Sequence, residues 1–389
     1  MQMKVAQCPV FIIGGNHHNA LGVIRSLGER DVIINVIIQS NDKNPYICRS
    51  KYISRYWIVS SEKEVIDILI NESENFHGEK AVLIACADNL SSLVDMHCEE
   101  LMQRYYLPCS SEQGRITHLM NKEVMSDLAR KIGFLVPQSK AINISDNIEV
   151  DIPLPWIIKP LVSKNGKKAD IRRIYTPEDW AIYCKGHDAT VQVQQLIDKE
   201  FEYQLIGLSL NGGEDVLIPG YSYVIRPAAT TNTGFLHYRA LNESFAEVVV
   251  KGKKFLKSTG YSGLFSLEFL RGKDGNDYFM EINFRNDGNA ICVTAAGINL
   301  PYIWYLYNTG GEFRQEIARS AVKPVYVMPE FADVSFVTHG QLNFYAWLKD
   351  IYKTDRFMEY DKHDKAPFFY YLSYRIAAFI KKRFDKFKL

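Results

Sequence analysis

Two glutamates, Glu268 and Glu281, lie in adjacent apolar runs of the segment GLFSLEFLRGKDGNDYFMEINFR, residues 263–285. Gly263–Leu270 and Tyr278–Ile282 read as strands, and Gly272–Asn276 reads as the turn joining them. Strand alternation puts Glu281 and Asn283 on one face, and Arg285, two residues on, shares it. Two carboxylates and an amide oxygen on neighbouring strands form a hard-oxygen set suited to Mg²⁺, with Mn²⁺ as a substitute. A cation of this kind carries nucleotide phosphates. Arg285 on the same face is placed to meet a transferring phosphoryl group or a substrate carboxylate. A solvated amphipathic hairpin would account for one such glutamate. It does not account for Glu268, set among Leu264, Phe265, Leu267, Phe269 and Leu270, where an unpaired carboxylate is costly without a cation.

The chain that must position these groups has 389 residues, enough for two or three domains, and is 47% apolar. Its formal net charge of +1 gives no case for nucleic-acid binding. Seven cysteines without a CxxC pair argue against a disulfide framework or a structural zinc site and fit a reducing cytoplasm. His17–His18 and His97–Cys98 are adjacent pairs that lack ligand spacing, so packing or surface placement is the reading for both. The start, MQMKVAQCPVFIIGG, reads as a first strand rather than a signal peptide, and no apolar run is long enough to span a bilayer.

Val10–Ile13, Asn19–Gly28 and Val32–Ile38 follow a strand–glycine–helix–strand rhythm, and Ala81–Cys86 with Ser91–Tyr105 repeats it. This predicts a small parallel sheet with crossover helices. Gly14–Gly15 lacks the G-x-G-x-x-G spacing of a dinucleotide site. Asn19, Arg25 and Asp88 fall near strand ends or on the first helix, where an open parallel sheet binds ligands and where a solvated role serves equally well. Residues 117–137 read as a helix starting between Thr117 and Met120 and closed by Gly133 and Pro137. Lys159 ends a short strand against Pro160, ahead of a polar loop, Ser163–Lys168, that offers backbone N–H groups and lysines to a phosphate.

The order strand-with-Glu, turn, strand-with-Glu-Ile-Asn, then Arg resembles the magnesium-binding end of ATP-grasp enzymes, which phosphorylate a carboxylate with ATP and pass the acyl group to a nucleophile. The resemblance extends over residues 112 to about 300. It implies that Lys122 and Lys159 reach the ATP phosphates, that Ser163 and Gly166 belong to a phosphate-covering loop, and that Gln194, Gln195, Leu196 and Ile197 form the adenine hinge. That loop has a single glycine where many relatives have more. Glu202, with Glu200 in reserve, takes the ribose hydroxyls, and Glu268, Glu281 and Asn283 hold the metal. Arg285 and Arg226 serve as the catalytic cations at the acyl phosphate. A surface-paired strand-end arginine is the equal alternative for Arg226. The layout is most similar to the carbamoyl-phosphate-synthetase-type and D-aspartate-ligase branches.

The fold so implied is α/β and α+β. A small parallel-sheet domain (1–110) precedes a two-lobed ATP-grasp domain (111–310, smaller lobe about 137–200) and a helical, aromatic, basic extension (311–389). The activity implied is an ADP-forming carboxylate–amine ligase acting on small-molecule carboxylate and amine substrates, with ATP and Mg²⁺, as a cytoplasmic protein open to homodimerisation. A different acceptor, as in carboxylation, or a non-catalytic nucleotide-binding scaffold are the rivals. The end, APFFYYLSYRIAAFIKKRFDKFKL, is read as a packed terminal helix rather than a membrane-surface helix, because the sequence shows no second anchor.

Overall fold

The computed structural model describes residues 8–76, 78–144, 150–160, 171–185, 189–227 and 233–386. The first sheet consists of β1 (Val10–Gly15), β2 (Ile34–Gln39), β3 (Ile53–Val59), β4 (Ala81–Ala85) and β5 (Tyr105–Tyr106). All pairings are parallel, in the order β3-β2-β1-β4-β5. β1 and β4 are buried along nearly their whole length, which is why both read as unbroken apolar runs. Strand order reverses between β1 and β4, and the crevice beyond their carboxyl ends is the natural ligand position of such a sheet. Gly14 lets that end close up, since a Cβ there would meet the Ala20 and Cys86 side chains at 3.2 Å.

Four strands make the small lobe: β6 (Ser139–Asn143), β7 (Trp156–Pro160), β8 (Arg172–Ile174) and β9 (Thr190–Gln195), antiparallel in the order β6-β9-β7-β8. Ile142, Ile158, Val191 and Val193 form its own core. The large sheet takes β10 (Lys199–Leu210), β11 (Asp215–Leu217), β12 (Gly220–Pro227), β13 (Gly234–Ala240), β14 (Gly263–Gly272), β15 (Asp277–Asn283), β16 (Val325–Met328) and β17 (Arg356–Phe357). Its order is β15-β14-β10-β12-β13-β16-β17, with β11 paired to β10. The region 311–389, expected to be helical, is mostly so but also lends β16 and β17 to this sheet.

Alternation explains how Glu268 survives in an apolar run. Leu267 and Phe269 point into a core with Leu205, Phe255 and Phe279, while Glu268 faces the opposite side, as Leu264 and Ile206 do. The helix expected over 117–137 is two pieces, Arg115–Leu119 and Lys122–Ile132. Asn121 breaks it by capping the second, its side chain accepting from the N–H groups of Glu123 (3.0 Å) and Val124 (3.3 Å). Gly133 closes that helix at φ +97°.

Candidate active site

Glu268 on β14 and Glu281 on β15 stand directly opposite each other in the antiparallel register. Like charges so placed repel. Gln204 Nε2 (3.0 Å) and Asn283 Nδ2 (3.1 Å) both donate to Glu268 Oε1. Gln204 is itself fixed, its Oε1 accepting from Asn289 Nδ2 at 2.8 Å and Ser222 Oγ at 3.3 Å. The register slips just after the pair, with Phe269 facing Phe279, so Met280 is an extra residue at the cavity wall.

Burial raises the Glu268 carboxyl to about 8, with further contributions from Glu281 and Asp287. Burial also raises Glu281, while Lys122 pulls the other way. The facing pair therefore calls for either a proton or a cation. Asn283 currently gives its NH₂ to Glu268 and its oxygen to Arg285 Nη2 (3.0 Å), so its oxygen reaches a metal only if the amide turns over. Among the described residues no cluster of three or more His, Cys, Asp or Glu is arranged as a metal site. The set that fits is two carboxylates with an amide, and Asp287 lies close enough to act on both carboxylates.

A pH dependence follows, with its sign fixed by the direction of the shift. A carboxyl whose folded-state pKa is raised stabilises the fold fully below its unfolded value, and that contribution is lost as pH rises through the folded value. Metal-free protein should thus lose melting temperature between about pH 5 and about pH 8.5. Mg²⁺ with ADP should restore more of it at the upper end, where no proton has to be displaced. Melts across that range with and without MgADP test this, and a restoration independent of pH would contradict it.

Two cavities meet at this pair. The first, about 440 Å³, lies between the small lobe and the large sheet and is lined by Lys122, Lys159, Gln194, Glu202, Glu268 and Glu281 among others. Lys122 opens its helix, where a cation opposes the helix dipole and an anion would be welcome. Lys159 Nζ donates to Gln194 Oε1 at 2.7 Å, and its pKa is lowered by burial and by Lys122. Glu202 forms an ion pair with Lys199. In the segment expected as the hinge, the Gln195 N–H bonds the Gln138 carbonyl and the Leu196 N–H the Pro155 carbonyl, both at 2.8 Å. The Ile197 N–H has no backbone acceptor among the described residues. Ser163 and Gly166 lie outside the described residues.

The second cavity, about 450 Å³, shares Gln204, Glu268 and Glu281 with the first and opens at the switch point of the parallel sheet. Its walls include Asn19, Asp88, Arg285 and Asp287. Arg285 Nε and Nη2 donate to Asp88 at 2.7 and 3.2 Å, tying the segment after β15 to the segment after β4. Asn19 Nδ2 donates to the carbonyls of Cys86 and Asn286, each at 2.9 Å.

Three arginine and histidine placements differ from expectation. Arg226 lines neither cavity. A bulge between Val224 and Arg226 re-aims it. Its guanidinium is engaged by Asp333 (2.8 Å) and Asp350 (3.0 Å), the paired alternative. Arg25 is buried against the segment 358–364, away from both cavities. His17, read as packing or surface, is exposed and forms part of the second cavity's wall. It is open to the lumen although protein surrounds most of the ring, and desolvation, then His18 and Arg285, lower its pKa to about 3. Its Nδ1 accepts the Asn19 N–H at 3.3 Å, so the neutral ring carries its proton on Nε2. The only sequence signal for this was its place at the end of β1.

With this geometry in hand, the similarities are informative. No family model matches the chain. It is 23% identical to the D-aspartate ligase of Enterococcus faecium over 319 residues, 74% of each chain. Its structure resembles the L-amino acid ligase from Bacillus licheniformis, with a TM-score of 0.61 at 14% identity over 82% of this chain and 79% of that one. It also resembles the ADP complex of N5-carboxyaminoimidazole synthetase from Staphylococcus aureus, with a TM-score of 0.62 at 15% identity over 85% of each. The chain has the ATP-grasp fold. In ATP-grasp terms, the first cavity lies between the two lobes and the second between the lobes and the preceding parallel-sheet domain.

Proposed function

We propose that the chain is an ADP-forming ligase that joins a small carboxylate to an amine. The observation that carries this is the facing pair Glu268–Glu281, which belongs to both cavities at once. ATP occupies the first cavity, its phosphates toward Lys122 and Lys159, its ribose on Glu202 and its base against the hinge, where the Ile197 N–H is the donor left for a purine edge. Glu268, Glu281 and Asn283 would hold Mg²⁺, which when bound screens the phosphate charge.

The acceptor enters the second cavity. Among the described residues one cation, Arg285, stands with Asp88, Asp287, Asn19 and Asn89, a pattern that suits a zwitterion of amino-acid size. Its carboxylate oxygen attacks the γ-phosphorus, the bond to the ADP oxygen breaks, and an acyl phosphate forms. An amine nitrogen then attacks the acyl carbon, phosphate leaves, and the nitrogen loses a proton. Arg285 and the Nε2–H of His17 take the oxygens of the carboxylate and of the intermediate. No side-chain nucleophile is needed, so catalysis rests on positioning and electrostatics.

The test is ADP formation across a panel of amino acids and amines, with product mass as the second readout, D-aspartate first because of the Enterococcus relative. ADP release that needs both a carboxylate and an amine is expected. Nucleotide binding without turnover on any pair would favour the scaffold reading. His17→Ser keeps the helix cap but removes the Nε2 donor. We expect a carboxylate KM raised about tenfold with ATP KM unchanged, the cost of one hydrogen bond to a charged group. Unchanged carboxylate kinetics would remove His17 from the site. We also propose the three-part division 1–110, 111–310 and 311–389, with the last part completing the large sheet, and a cytoplasmic setting, which the seven free cysteines suit.

A further inference from the structure

Among the described residues, the last helix, Ala366–Lys386, is held to the body by contacts that reach no further than Arg375, whose Nη1 donates to the Phe331 carbonyl at 3.1 Å. Tyr371 stacks on Tyr46 with ring centroids 4.5 Å apart, and Arg49 lies over the Tyr370 ring at 4.6 Å. From Ser373 on, every residue whose burial is described is exposed. The exposed residues are not those of an ordinary solvated helix. Helical spacing puts Phe368, Leu372, Phe369, Ile376 and Ile380 on one stripe. The inner members, Phe368 and Leu372, line an apolar groove of about 430 Å³. The outer members, Phe369, Ile376 and Ile380, face solvent.

Across that groove runs the helix Phe344–Lys353, built the same way. Trp347 and Ile351 line the groove, while Phe344, Leu348, Tyr352 and Tyr345 continue the same arc outward. Tyr345 is 79% exposed and Tyr352 93%. The two helices and the groove thus form one apolar platform, rich in the aromatic residues that prefer a bilayer's headgroup boundary. This is the second anchor that the terminal sequence alone does not reveal.

Charge selects the occupant. Residues 381–389 hold five Lys or Arg and one Asp, while the whole chain is only +1, so the rest of the molecule is net acidic. Residues 366–384 contain no acidic side chain. Asp350 on the facing helix is already bound by Arg226. A second copy seated on this face would bring two basic ends to one interface, each with a single carboxylate, Asp385, against five cations. An anionic lipid surface supplies both an apolar layer and negative headgroups. Among the described residues no helix is long and apolar enough to cross a membrane, so the contact is with the surface.

We propose that the helices Phe344–Lys353 and Ala366–Lys386 form a docking platform for the surface of an anionic lipid bilayer. This holds whether or not the chain is a ligase. The test is flotation of the full chain with phosphatidylcholine vesicles, and with vesicles in which about a third of the lipid is phosphatidylglycerol. Two variants accompany it: L348S/Y352S/I376S, which strips the stripe, and K381E/K382E/R383E, which reverses the basic end. Melting curves and nucleotide binding check that both remain folded.

Wild type should bind the anionic vesicles at least about tenfold more tightly than the neutral ones, and each variant should lose about tenfold or more. No binding to either vesicle overturns the proposal. So does loss of binding by the charge variant alone, which would mean adhesion of a polycation without apolar contact. So does a dimer by light scattering that the stripe variant dissolves while vesicles bind nothing.

Discussion

Glu281→Gln is expected to raise the melting temperature of the metal-free protein above pH 8 and to lower ADP formation by about 10³-fold or more. The two effects have one cause. Glu281 is placed opposite Glu268 in the strand register, and burial raises both carboxyls. An isosteric amide removes the like-charge repulsion, worth up to about 1 kcal/mol across strands. Under the proposed function it also removes one of the two carboxylates that would hold Mg²⁺, and a 10³-fold loss corresponds to about 4 kcal/mol of transition-state stabilisation. Glu268→Gln should behave alike, because an amide oxygen at that position still accepts from Gln204 and Asn283. The checks are thermal melts with and without Mg²⁺ and ADP, and a coupled ADP assay. A variant that melts lower and keeps its turnover would make Glu281 a structural residue and remove the basis of the ligase reading.

The parts of this site that sequence revealed are local ones. A glutamate in an apolar strand, a second two residues before an asparagine, and a lysine at a strand end are all readable from period-two alternation and apolar context. The parts that escaped depend on contacts between distant segments or on a break in the period. Arg285 was legible as a site residue, but its partner Asp88 lies 197 positions away. His17 looked like half of an unremarkable pair because only the fold brings the end of β1 to the hairpin that carries Glu268 and Glu281. Arg226 was misleading for the opposite reason, since one bulged residue turns a strand-end arginine from the cleft to Asp333 and Asp350. The terminal helix reads as packed in sequence for want of its neighbour. Its stripe is visible in the sequence, but the groove it shares with Trp347 and Ile351 is not.

Arg25 shows the same limit in a form that predicts a large stability effect. On the first helix of a parallel-sheet domain it looked as able to bind a ligand as Asn19 did. It is 1% exposed, and its guanidinium donates to the Asp364 carboxylate (3.1 Å) and to the carbonyls of Met358 (3.2 Å), Glu359 (2.9 Å) and Asp364 (2.9 Å). Asp364, also buried, takes further bonds from Ser50 Oγ at 2.8 Å and the Lys51 N–H at 3.0 Å. Arg25→Met fills the volume but leaves that carboxylate and three carbonyls without their cation, a loss of about 3–5 kcal/mol. Arg25→Lys should fall between, since a point charge cannot serve four acceptors arranged for a planar fork. Urea midpoints give the ranking, and limited proteolysis should show residues 356–386 opening first. Molecules that stay folded should retain their ATP KM, because Arg25 touches neither cavity. A stable Arg25→Met protein that had lost turnover would make Arg25 the ligand-binding arginine and leave its contacts to 358–364 incidental.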